Sequence, residues 1–336
     1  MKINKTFITI ALLTAVSLHT TVCSADVYRE FMLVGGYSKM DKLTGKRDHI
    51  KNAVGIEWYE KFSDEYGDYM TADVQLRAGY DSDRDSKDAW GFEVHNAWLD
   101  FKTGMGEYLR VGHFDPQFGL EPVVDTHSTI FQTLIMHSIG FNKDWGVGYR
   151  GLLGNWDYSV AAQTGSGMGL DRRDDSGLLT ARIGTPQTDN LRYGFSALYG
   201  NVLEPIESWT IPKPHYRSDD AVLKRFLGAD IQYDSGPVLF SGECAAGMRE
   251  DDPAGGAMLQ ADYRIPDMQK LVMQMQGIYW SDDLNDSDMQ QTTVGAGFAY
   301  TLTSAMTLRA AYFHDLHAPE HENDRQVILQ LYYSGK

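Results

Sequence analysis

The sequence predicts an all-β chain: a transmembrane antiparallel β-barrel of about sixteen strands, with an inward-folded third loop. Three observations carry this. Apolar and polar residues alternate with period two from residue 27 onward, no later run is long enough for a membrane helix, and the connections alternate between short turns and long acidic loops.

The N-terminus sets the compartment. Lys2 and Lys5 precede an apolar run from Phe7 to Leu18 and the small-x-small triplet Cys23-Ser24-Ala25. That is the layout of a secretory signal peptide cut after Ala25, so residues 1–25 are read as signal peptide and residues 26–336 as one barrel domain. Cys244 is then the last cysteine, which rules out an intramolecular disulfide. There is no CxxCH for attaching haem and no paired-cysteine zinc pattern, so no cofactor or metal is expected. Loss of Lys2 and Lys5 takes the formal charge from -16 to -18, which argues against nucleic acid as a partner.

Alternation defines the strands. Met70, Ala72, Val74, Leu76, Ala78 and Tyr80 share one face, while Thr71, Asp73, Gln75, Arg77 and Gly79 share the other. The same sorting recurs in Leu191, Tyr193, Phe195, Ala197 and Tyr199, and in Ala257, Leu259, Ala261 and Tyr263. The predicted strands are 27–39, 49–61, 68–80, 90–102, 107–114, 144–153, 155–165, 177–185, 190–201, 223–233, 237–249, 255–265, 270–281, 289–301, 305–314 and 325–333. Only a closed barrel lets strands cross a bilayer, because every backbone donor and acceptor must then be paired internally.

The connections decide between a membrane barrel and a soluble sandwich. Long acidic ones fall at 40–48, 81–89, 115–143, 166–176, 202–222, 250–254, 282–288 and 315–324. Short ones include Gly104-Met105-Gly106, Gly154 and Asp234-Ser235-Gly236. Segregation of loop length by parity places the turns on the periplasmic side and the loops outside. The apolar face then meets lipid and the polar face lines a lumen. Aromatics near strand ends, among them Tyr37, Trp58, Trp90, Trp98, Trp156 and Tyr333, are read as two interfacial girdles.

Residues 111–151 carry Gly112, Phe114, Pro116, Phe118, Gly119, Leu120 and Glu121, then Asp144, Gly146 and Val147. This segment resembles the sixteen-stranded porins that include the phosphate- and pyrophosphate-selective O and P porins, with Pro116 displaced by one position. The resemblance implies a Gram-negative outer-membrane porin whose third loop folds into the barrel. Anion-selective members present basic ladders, whereas residues 115–143 offer Lys143 beside Asp115, Glu121 and Asp125, so phosphate selectivity does not carry over.

The same loop holds Ile130, Phe131, Leu134, Ile135, Met136 and Ile139, too apolar for a solvated surface loop. Folded inward, it is the candidate constriction, with Asp115, Glu121, Asp125, His127, His137 and Lys143 as its polar groups. The candidate pore lining is Asp73, Arg77, Glu93, Arg110, Arg150, Asp157, Arg182, Asp230, Glu243, Asp262, Arg264 and Arg309, whose mixed signs suit polar solutes.

The expected activity is diffusion of small ions or solutes through a water-filled channel, with no enzymatic step. The expected setting is a homotrimer in the cell outer membrane, surrounded by lipid and lipopolysaccharide. Two alternatives stay open at this point. One is a barrel that sheathes a multihaem cytochrome, and the other is an outer-membrane hydrolase built around His314-Asp315.

Overall fold

The computed structural model describes residues 25–39, 42–47, 50–82, 84, 89–125, 129–170, 172–318 and 325–336. The signal-peptide reading lies outside them except for Ala25. Among the described residues, sixteen strands form the wall. They are β1 (Asp26–Ser38), β2 (Ile50–Asp64), β3 (Gly67–Tyr80), β4 (Trp90–Gly104), β5 (Glu107–Phe114), β6 (Asp144–Leu153), β7 (Trp156–Gln163) and β8 (Gly177–Gly184). Then follow β9 (Leu191–Val202), β10 (Val222–Asp234), β11 (Val238–Arg249), β12 (Asp252–Arg264), β13 (Leu271–Ser281), β14 (Gln290–Thr303), β15 (Met306–His317) and β16 (Arg325–Gly335). Two further short strands, Lys42–Thr44 and Lys46–Arg47, lie in the first long loop.

Each wall strand pairs antiparallel with its chain neighbours. The ring closes because β1 pairs on one side with β2, from Asp26↔Tyr59 to Met32↔Ala53, and on the other with β16, from Arg29↔Gly335 to Ser38↔Gln326. Tight turns at one end rely on glycine where the backbone goes left-handed, as at Gly106 (φ 76) and Gly154 (φ 64). Among the described residues, no helix is long and apolar enough to cross a membrane.

Alternation sorts the two faces. Leu227 and Leu259 are 70% and 71% exposed on the outside, with Leu33, Val54, Ile56, Leu179, Met275 and Leu329 also exposed there. Asp73, Gln75 and Arg77 are buried on the inside. Such an outward apolar belt suits hydrocarbon, where every unpaired polar group is costly.

Two expectations need correction. Residues 250–254 are not a long loop: Arg249 pairs with Asp252, and Glu250 (φ 53) turns the chain in the left-handed region. Trp98 is not part of an outer girdle. A bulge at His95, where Gln75 pairs with Asn96 but Leu76 with Val94, shifts the parity of β4. Trp98 therefore lies opposite Asp73 on the inside, beneath the Arg110 guanidinium at 4.0 Å.

The sidedness predicts unequal effects of one substitution type. Leu259→Arg should disfavour membrane assembly by ~2–4 kcal/mol at mid-depth. Gln260→Arg should assemble, because Asp262 lies within 3.0 Å of the Gln260 amide. The yield of heat-modifiable barrel on gels measures both, and equal yields would invert the assignment.

Candidate pore constriction and lumen wall

The connection from Asp115 to Lys143 is positioned by hydrogen bonds to inward-facing side chains of five strands. Gln117 N–H donates to Thr180 Oγ1 at 2.9 Å, Gly119 N–H to Ser196 Oγ at 2.9 Å, and Leu134 N–H to Glu243 Oε2 at 3.1 Å. Lys224 Nζ donates to Ile139 O at 2.9 Å, and Gln276 Nε2 to Gln132 O at 2.7 Å. Gly119 is required where it stands: its φ is 58, and a Cβ would run into the Glu243 carboxylate.

Packing accompanies the hydrogen bonds. Phe118, Leu120, Leu134, Ile135 and Ile139 are buried against Leu178, Leu198, Phe226, Met258 and Trp280. The short helix α1 (Ile135–Ser138) lies in this patch. A second patch sets Ile130 and Phe131 among Met32, Val34, Ala311, Phe313 and Ile328, with the Phe131 and Phe313 rings 5.2 Å apart. The wall under the segment is therefore apolar on its inner face, where alternation had predicted polar lining. Burying these side chains removes apolar surface from water at roughly 25 cal/mol per Å².

The six candidate constriction residues separate. Asp115 and Lys143 form an ion pair with each other. Glu121 is 3% exposed and accepts from Thr133 Oγ1 at 2.6 Å. His137 is half-buried and stacks on Trp280, ring centroids 6.1 Å apart. Asp125 is exposed. His127 lies outside the described residues.

Directly paired residues share a side of the sheet, and the register puts all twelve candidate lining residues on the inner side, the side of Asp73 and Gln75. Half of them are ion-paired in place. Arg182 binds Asp230 at 2.6 Å, and Arg77 binds Glu30 at 2.7 Å with Glu93 at 3.7 Å. Arg110 and Arg150 converge on Asp100 at 2.8 and 2.6 Å, Arg150 stacking over Tyr108 at 4.4 Å. Asp262 accepts from Gln260 and Gln274, and Arg309 donates to Gln330 at 2.9 Å. Glu243 is taken up by the inner segment, and Arg264 is exposed. Asp157 lies half-buried opposite Gly184.

Sequence reasoning missed Glu30, Asp100 and Lys51. Asp100 was within reach, since the turn at Gly104-Met105-Gly106 sets the register that places it opposite Arg110. Glu30 pairs across two strands and leaves no local signal. Also missed was the connection 203–221, expected as an external loop. It turns back over the barrel, with Trp209 fully buried against inward positions of β3 and β4. At its base Glu204 binds Lys224 at 2.9 Å and Arg249 at 3.0 Å. Burial pushes the Glu204 carboxyl up, but these two cations outweigh it and hold it at about 2, charged through the ordinary pH range.

No family model matches the chain, and no curated protein matches it. Solved structures do. The trimer form of OmpT, an outer membrane protein of Vibrio cholerae, aligns with TM-score 0.66 at 13% identity, covering 94% of this chain and 100% of that one. The anion-selective porin from Comamonas acidovorans aligns with TM-score 0.65 at 10% identity, covering 93% and 100%. Salmonella typhi OmpF in complex with daunomycin gives 0.64 at 11% identity, covering 93% and 97%. At these identities the likeness is one of fold, and it runs nearly end to end. The chain is a closed transmembrane β-barrel with the fold of outer-membrane porins and channels, the architecture of the outer membrane.

Proposed function

We propose that the chain is a porin, a water-filled channel for diffusion of small ions or solutes across the outer membrane, with residues 115–143 as its constriction. The observation that carries this is the anchoring of that segment on inward side chains from β8 to β15, opposite a wall lined by Glu57, Asp73, Arg110 and Arg150. That arrangement supports a narrowed, charged passage. Asp144 accepts from Trp145 N–H at 2.8 Å, Thr164 Oγ1 at 2.6 Å and Gly165 N–H at 2.7 Å, tying the far end of the segment to the next loop. A homotrimer is proposed on the trimeric form recorded for one neighbour.

The alternatives find less support. His314 and Asp315 are adjacent on β15 and so point to opposite faces, His314 toward Tyr312 and Asp315 toward Thr293. A hydrolytic pair would need them together. A cytochrome sheath would need the interior space into which Phe118, Phe131 and Leu134 pack.

Single-channel recording in planar bilayers tests the porin reading: discrete, ohmic conductance steps are expected, and a non-conducting folded barrel refutes it. Selectivity should be weakly cationic, with Asp125 as the exposed carboxylate of the segment, whereas Glu121 is buried and bonded to Thr133. In a KCl gradient, Asp125→Asn should lower cation preference while Glu121→Gln leaves it unchanged. An anion-selective wild-type channel would contradict this.

Gly119→Ala should dislodge the inner segment from Glu243, giving noisier and larger conductance while the barrel stays heat-modifiable. An unchanged current trace would show that the segment does not set the pore.

A further inference from the structure

The connection between β9 and β10 has the pairing of a hairpin rather than the irregularity of a surface loop. Ile206 N–H donates to His215 O at 2.8 Å, Arg217 N–H donates to Glu204 O at 3.0 Å, and Pro205 lies opposite Tyr216. The far end of the hairpin joins β4. Phe92 N–H donates to Ile211 O at 2.6 Å, Ile211 N–H returns to Phe92 O at 3.0 Å, and Val94 N–H donates to Thr210 Oγ1 at 3.0 Å.

The availability of that edge follows from strand length. β4 has 15 residues but pairs with the 8-residue β5 only from Ala97 downward. At about 3.3 Å per residue, β4 extends about 50 Å and β5 about 26 Å, so the upper part of β4 outruns its neighbour. β6, β7 and β8, with 10, 8 and 8 residues, continue the low stretch of wall. Unpaired edge groups of β4 would otherwise face the outside, a hazard that sheets avoid.

The hairpin is fixed at both ends. Trp209 lies against Gly79 at 2.9 Å from where a Cβ would stand and blocks any side chain at Gly91. Lys51 Nζ sits 3.6 Å over the Trp209 ring and also bonds Ser208. Glu207 pairs with Arg84. At the base, Lys224 links Glu204 to Ile139 of the inner segment, and Tyr216 Oη donates to Ser166 O at 3.0 Å.

We propose that residues 204–217 replace the missing upper wall above β5–β8 and form a collar that sets the width of the outer vestibule, a determinant of which solutes pass. This rests on the porin reading for its functional part and on geometry alone for its placement. The collar acts in series with the constriction, and Lys224 couples the two because it binds both segments.

Placement is tested in full-length protein by Phe92→Cys with Ile211→Cys in a Cys244→Ala background. A hydrogen-bonded antiparallel pair has Cα atoms ~5.5 Å apart, within disulfide range. Reducible cross-linking of the assembled barrel is expected, and free thiols after oxidation would overturn the placement. Function is tested by Trp209→Ala and by replacing residues 208–213 with two glycines. Heat-modifiable barrels of either variant should show about twofold higher conductance and admit larger polyethylene glycols, since current scales with open area. If wild-type channels conduct and these variants match them in both measures, the collar is refuted. A wild type that does not conduct refutes the porin reading instead, while the cross-link still decides where the hairpin sits.

Discussion

In hydrocarbon an unpaired backbone amide or carbonyl costs several kcal/mol, and no water is present to relieve it. The pairing of β1 with both β2 and β16 leaves no edge strand in the ring, so the outer surface across the bilayer can be side chain. All other features follow from that closure. The outward face must be apolar, which leaves the inward face to hold the charge. Hydrogen bonding of the wall is complete without it, so inward side chains are free to bind something else.

They bind the chain itself. Residues 115–125 and 129–143 leave the wall and return to it on the inside, residues 204–217 return to its upper edge at β4, and each does so where the wall supplies a specific defect. The first uses Gly119 to approach Glu243, and the second uses the overhang of β4 beyond β5. The interior is thereby divided into an apolar half covered by the inner segment and a charged half. Arginines on the charged half are stacked on rings and tied to carboxylates, as in Arg110 over Trp98 and bound to Asp100. Fixed dipoles and paired charges of this kind orient solutes without binding them tightly, which suits passage.

The strand pattern was legible because burial by lipid imposes the same two-residue period as burial by a core. The bounds of β5 and β6 agree with expectation to the residue. A one-residue bulge is invisible in such a pattern, which is why Trp98 was assigned to the wrong face. Inward apolar residues such as Leu178, Leu198 and Phe226 read as poor alternation until the segment covering them is seen. Ion pairs across one hairpin, Asp100 with Arg110, are recoverable from turn register, whereas Glu30 with Arg77 reaches across the intervening strand β2. The hairpin at 204–217 left no signal, since its partner lies at Phe92, far away in sequence.

The central claim is that one face of each strand meets lipid and the other meets water in a continuous lumen. Labelling of single cysteines by a membrane-impermeant maleimide in intact outer membranes tests it most directly. Native Cys244 lies on the outer face beside Ala229 and Ala257 and should resist the reagent, as should Leu227→Cys. Asp262→Cys and Arg309→Cys, each in a Cys244→Ala background, should label readily. Labelling of Cys244 with protection of positions 262 and 309 would contradict the account.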